Sequence, residues 1–241
     1  MRRVITLFAV GGLASLTANP AIASALDDHF ARRVDPEGRA VLREFAGCKA
    51  ERYPAAAQVA LRADLSMVQL QTRFPDMINT PQCFKSAVFH SRRMAIGDGF
   101  YQGYLAEALL LRDYSAASLP DIARTASLPR EAMPAPDETK LPDKLRTDFA
   151  LVRESGAFDL VAECVARAAP VSVYRFVTGR PDTADEGNGF TALQGAITPC
   201  LTDGNLPAYP TVAWRITLAR QLYRLLDAAR PVPHTEATPH A

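Results

Sequence analysis

The sequence predicts an all-α protein of two tandem helical units, each closed by one disulfide and joined by a proline-rich linker. Three observations carry this. Apolar residues recur at three- and four-residue steps, with no sustained two-residue alternation that would mark strands. Prolines stand where helices start rather than inside them. The four cysteines, Cys48, Cys83, Cys164 and Cys200, fall into two pairs of nearly equal spacing, 35 and 36 positions.

Taken in order, residues 1–23 read as a cleavable export signal. Arg2 and Arg3 form a basic start, Val4 to Ala18 is an uncharged, mostly apolar run, Pro20 breaks a helix, and Ala21-Ile22-Ala23 places small residues where signal peptidase cuts. Ala23-Ser24-Ala25 offers a second cut two residues on. The apolar run is shorter than a membrane span and contains Gly11 and Gly12, and no later segment is long and apolar enough to span. A cut after Ala23 removes two of 27 basic residues and none of 26 acids, leaving a net charge of −1. That balance gives no electrostatic footprint for nucleic acid.

The first unit is expected over residues 24–114. Asp35-Pro36-Glu37 is a helix start, and the helix can run to about Arg52, carrying Cys48. Pro54 opens a second helix through Val59 to Leu61. Gly99 to Arg112 is a strong helix with Tyr101, Leu105, Ala108 and Leu109 on one face. Residues 115–142 carry Pro120, Pro129, Pro134, Pro136 and Pro142 and few large apolar groups, which predicts a linker or surface loop. Within it, Leu119 to Ala126 admits a short helix. The second unit is expected over 143–230. Ser155 is read as the cap of the helix carrying Cys164, Pro170 opens another, and Asp203-Gly204 marks a turn. From Pro210 and Thr211 a helix repeats Val212, Ile216, Ala219, Leu222 and Leu226 at helical steps. The tail, 231–241, has three prolines and no aliphatic run and is expected to be disordered.

The two units match in more than cysteine spacing. Phe45-Ala46-Gly47-Cys48 parallels Val161-Ala162-Glu163-Cys164, Ala50 parallels Ala166, and Pro54 and Pro170 each follow their cysteine by six residues. Tyr104 to Leu109 lines up with Thr217 to Leu222, sharing Leu, Ala and Leu, and this alignment sets Trp214 opposite Tyr101. The stretches between the paired cysteines align poorly. The frame resembles a family of uncharacterised exported alphaproteobacterial proteins, sphingomonad-type above all, that carry one or two copies of such a unit. The match rests on Ala-x-Cys, the following proline, Cys200-Leu201 and the helix Leu218 to Tyr223, and covers about Phe45 to Leu226 apart from the linker. The resemblance implies no catalytic residues.

Four cysteines allow three pairings, which composition cannot separate. If each copy is one structural unit, each closes its own bridge: Cys48 with Cys83 and Cys164 with Cys200. In the chain-entropy model each such loop is worth about 3–4 kcal/mol. Reactive thiols are the competing reading, but no histidine lies close in sequence to activate one.

Other patterns offer little chemistry. Gly97-Asp98-Gly99 with Gly103 is not a dinucleotide fingerprint, since Gln102 stands at the third glycine's place; it reads as a turn feeding a helix, with Gly103 permitting close packing. His29, His90, His234 and His240 are scattered, and no spacing builds a metal site. Glu107 and Glu163 are read as solvent-facing helix charges rather than an acid–base pair. The richest local feature is aromatic: Phe84, Phe89, Phe100, Tyr101 and Tyr104. Core packing is the default for such a cluster. The sharper expectation is a groove between units, lined by Phe100, Tyr101, Tyr104 and Trp214, that accepts a helical peptide or small apolar ligand. No catalytic residue, metal site or cofactor is called for. The functional expectation is an exported, periplasmic or secreted helical-repeat protein that binds or scaffolds an envelope protein or peptide. An envelope enzyme of hydrolase type, with an unfamiliar helical site, is the alternative.

Overall fold

Proline has no amide hydrogen to lose at a helix's first turn, and the chain uses this repeatedly. The computed structural model describes residues 36–79, 81–83, 98–129, 143–201 and 209–230. Nine α-helices occur among them: α1 Pro36–Arg52, α2 Pro54–Arg62, α3 Met67–Arg73, α4 Pro75–Asn79, α5 Asp98–Asp113, α6 Asp143–Ala168, α7 Pro170–Thr178, α8 Ala184–Ile197 and α9 Thr211–Ala228. Proline is the first residue of α1, α2, α4 and α7. No strand occurs among the described residues, so the all-α expectation holds. The signal segment, the four histidines, Phe84, Phe89, Gly97, Asp203-Gly204 and the tail lie outside the described residues.

Both disulfides join the expected partners. Cys48 bonds Cys83 with their Cα atoms 5.6 Å apart, and Cys164 bonds Cys200 at 5.8 Å. Each second cysteine closes a one-turn 3-10 helix, Pro81–Cys83 and Thr198–Cys200. Each bridge ties such a turn to a cysteine four residues before the end of a long helix, α1 or α6. Among the described cysteines none is free.

The two halves carry the same order of parts at these bridges. α1 breaks at Tyr53 and α6 at Ala169, with nearly the same backbone angles (φ −129°, ψ 52° and φ −142°, ψ 56°). The same pair of backbone hydrogen bonds spans each break, Tyr53 to Lys49 and Ala57 to Tyr53 in one half, Ala169 to Val165 and Val173 to Ala169 in the other, all at 2.9 Å. A nine-residue helix follows each break.

The halves do not keep separate cores. α5 and α9, the last helices of each half, pack on one another along the middle of the molecule. α1 lies against α5 and α6 against α9; α2 reaches across to α9, and α7 reaches across to α5. One continuous apolar cluster joins Leu42, Phe45, Leu61, Tyr101, Leu105 and Leu109 to Phe158, Val173, Trp214, Leu218 and Leu222. Gly103 is the reason α5 and α9 come so close. A Cβ there would lie 2.3 Å from Ile216 Cβ and 2.8 Å from its Cα and carbonyl oxygen.

Two local expectations change. Ser155 does not cap α6, which begins at Asp143 and runs through Ser155 and Gly156 without a break. Serine and glycine weaken a helix by only about 0.5–1 kcal/mol each, too little to end one whose following turns bury Phe158, Ala162 and Val165. Residues 119–126 form turns rather than a short helix. Nor is the described part of the linker loose. Ile122 and Leu128 are buried, and Arg167 of α6 donates to the carbonyls of Ile122, Thr125 and Ala126 at 3.1, 2.6 and 2.9 Å. Side-chain hydrogen bonds replace helix there, which is why the helical pattern fails.

Two glycines separate propensity from packing. Gly156 is exposed and a Cβ there meets nothing within 4 Å, so Gly156→Ala is expected to stabilise by about 0.5–1 kcal/mol. Gly103→Ala forces α5 and α9 apart and is expected to destabilise by about 1–3 kcal/mol. Urea midpoints of the two variants against the parent check both signs.

Candidate functional site

The aromatic groove gives way to a buried stack. Phe100, Tyr101, Tyr104 and Trp214 are all buried, Tyr101 and Trp214 fully. Trp214 lies edge-on to Phe158 at 4.6 Å and beside Phe190 at 5.8 Å, and Tyr101 sits 5.9 Å from Phe45. Aromatic rings at helical spacing bury the most area per residue, so the shared core takes them. Tyr104 borders a cleft.

That cleft lies beside the most heavily charged part of the interior. Arg215 on α9 is 1% exposed and Glu107 on α5 is 2% exposed. The guanidinium grips Glu107 through Nε and Nη2 at 3.2 and 3.3 Å, the two-pronged geometry that arginine allows. Its Nη1 also donates to Glu186, in the first turn of α8, at 3.1 Å. The same Nη1 and Nη2 also cap the end of α7, on the carbonyls of Phe176 (3.1 Å), Val177 (2.7 Å) and Gly179 (2.5 Å). A helix's last carbonyls have no partner in the helix, and a cation there is favoured by the helix dipole. Glu107 is bridged a second time by Arg43 of α1. One buried ion pair thus ties α1, α5, α7, α8 and α9 together.

Beside it, Arg39, Ala40, Arg43, Glu44, Tyr104, Pro181 and Asp182 line a cleft of about 350 Å³. α1 forms one wall and the turn after α7 the other. Arg39 pairs across it with Asp182, a residue held at φ 57°, in the left-handed region that aspartate tolerates better than most side chains. Burial first, and then the charge of Glu107, push the Tyr104 phenol above its usual range. It stays protonated at neutral pH and can donate a hydrogen bond, but it cannot serve as a base.

Glu163 is also buried rather than solvent-facing. It accepts from Arg167 at 2.7 Å and from the Leu128 amide at 3.4 Å, so it anchors the strap 115–129. Both glutamates were expected on the surface. Each instead meets an arginine supplied, or aimed, by a neighbouring segment, and a paired carboxylate can be buried. The residues missed altogether are Arg39, Arg43, Arg215 and Arg220. A signal existed in the matched frames, where Glu107 stands opposite Arg220: a charge inverted at one aligned position.

Lys49, beside Cys48, is fully buried, with its ammonium 4.7 Å from the Phe45 ring centre. Burial, and then the nearby Arg52 charge, lower its pKa to about 8. Among the described residues no group of three or more His, Cys, Asp or Glu is placed to hold a metal, and no helix is long and apolar enough to cross a membrane. No family model, curated protein or solved structure matches the chain.

Three outcomes follow from these placements. Glu107→Ala strands Arg215 inside the fold and is expected to cost about 3–5 kcal/mol. Arg39→Ala, which breaks a partly exposed pair, is expected to cost under about 1 kcal/mol by the same denaturation assay. Lys49→Met tests the other charge. Below about pH 8 the fold carries a buried ammonium. Between there and the unfolded value near 10.5 the folded chain releases a proton that the unfolded chain keeps, so stability gains with rising pH. Lys49→Met is therefore expected to be more stable than the parent at pH 7, with the gap closing as pH approaches 10.5.

Proposed function

We propose that this chain is an exported helical protein of the periplasm or extracellular space that binds an envelope protein or peptide through the cleft between Arg39 and Asp182. The observation that carries the reading is the cleft itself. It joins the two halves, and its walls offer two guanidiniums, a protonated phenol and two carboxylates, Glu44 and Asp182. The Arg39–Asp182 pair is partly exposed, 19% and 42%, so a partner's carboxylate can take the place of Asp182 without unburying a charge. An acidic side chain or a C-terminal carboxylate on the partner suits that exchange.

Export is supported by the sulfur chemistry. Two disulfides are closed, and Cys164 is exposed on the surface. An accessible bridge of this kind is kept oxidised outside the cytosol and reduced within it. The buried charges favour binding over catalysis, because Glu107 and Glu163 are both held by arginine and neither is positioned as a free acid or base.

A photo-crosslinking residue at Ala40, on the cleft wall, tests the reading against one at Val68, exposed on α3. In envelope extract, an adduct is expected at position 40 and not at 68, and Arg39→Glu is expected to abolish it. Equal labelling at both positions would count against the cleft. The same protein recovered from the envelope is expected to begin at Ser24 with both disulfides closed.

A further inference from the structure

The interface between α5 and α9 carries matched positions that are not alike. Cys48, Pro54, Ala46 and Ala50 correspond to residues 116 further on, and Tyr104 to Leu109 correspond to residues 113 further on. By those offsets Gly103 corresponds to Ile216, and these two residues touch one another at the centre of the crossing. Contact between equivalent positions is what a two-fold axis produces. The packing agrees: α1 on α5 answers α6 on α9, and α2 on α9 answers α7 on α5.

The polar contacts obey the same relation with their charges reversed. Arg43 bridges Glu107 within the first half. Their counterparts, Asp159 and Arg220, bridge one another within the second. Across the crossing, Glu107 holds Arg215; the counterparts, Arg220 and Gln102, bond at 3.1 Å. Gln102 donates to the Leu65 carbonyl beyond α2, as Arg215 donates to the carbonyls at the end of α7.

We infer that the two halves, read above as copies of one unit, meet as unlike subunits of a pseudo-two-fold dimer, and that the surface of each half fits only the other. The α9 half presents a knob, Ile216, and two arginines, Arg215 and Arg220. Paired with its own kind it would set Ile216 on Ile216, where a single Cβ already has no room, and Arg215 against Arg220. The α5 half presents a hole, Gly103, and an acid, Glu107. Paired with its own kind it would face glycine with glycine and leave Glu107 with Gln102 and no cation from across the crossing. Only the mixed pairing fills the hole and neutralises the acid. The partner this surface fits is therefore the opposite half of this chain.

Two measurements test this on the full chain. The first is a double-variant cycle. Gly103→Ile alone should lower the urea midpoint severely, and Ile216→Gly alone should lower it by opening a cavity. Because equivalent positions face one another, Gly103→Ile with Ile216→Gly moves the knob to the other helix and should recover at least half of the loss caused by Gly103→Ile. A double variant no more stable than the sum of the two singles would overturn the two-fold relation; Gly103→Ala with Ile216→Gly gives the same comparison if Gly103→Ile does not fold. The second measurement places a protease site between Pro134 and Pro136 and cuts the folded, oxidised protein. The fragments should run together at the mass of the intact chain, one to one, with an unchanged far-ultraviolet spectrum. Separation of the fragments, or complexes of one fragment with itself, would overturn the mixed pairing. Neither measurement involves a ligand, so the binding reading stands or falls separately.

Discussion

The close crossing of α5 and α9 at Gly103 and Ile216 is the contact on which the rest of the molecule depends. With any larger residue at position 103 the two helices would stand further apart. Glu107 lies one turn past Gly103 and Arg215 directly precedes Ile216, so their two-pronged bond at 3.2 and 3.3 Å spans this crossing. The bond in turn aims Arg215 at the open carbonyls of α7 and sets Glu107 where Arg43 of α1 can reach it. A steric allowance of one missing methyl group thus organises a charge cluster touching five helices.

Arginine does the same task at several places in this fold. Arg215 closes the end of α7, Arg167 holds three carbonyls of the strap 115–129, Arg112 of α5 reaches the Ala50 carbonyl near the end of α1 at 2.9 Å, and Arg224 takes the Pro129 carbonyl at 2.9 Å. In each case backbone acceptors that helix or sheet would otherwise satisfy are left over where the chain stops being helical. A planar, permanently charged donor with five hydrogens is suited to that work, and a carboxylate beside it, Glu107 or Glu163, offsets the buried charge. The disulfides act on a different scale. They hold turns to helices within each half, while the joining of the halves rests on apolar packing and the buried ions.

The cleft follows from this arrangement. Because α7 ends on Arg215, the turn after it is delivered opposite α1, and Asp182 meets Arg39 across a gap. Its floor, Tyr104, belongs to the helix whose glycine sets the crossing, so the shape of the cleft is tied to the way the halves are joined. A change in that joining would move one wall relative to the other.

The chain's helices could be read from local rules. Pro36, Pro54, Pro170 and the Thr211 start mark helix beginnings in the sequence and in the structure alike, because proline's fixed φ and missing amide act within one turn. The cysteine pairing could be read too, since its repeat spacing is a property of the chain. Ser155 and the 119–126 stretch misled, as the packing of α6 and the clamp of Arg167 outweighed weak local preferences. What the sequence did not determine was which residues are hidden. Glu107, Glu163, Arg215 and Lys49 look like surface charges one at a time, and Phe100, Tyr101 and Trp214 look able to line a groove. Only the tertiary structure decided otherwise, because burial of a charge depends on a partner brought from 108 residues away, as Arg215 is to Glu107, and no local pattern records that meeting.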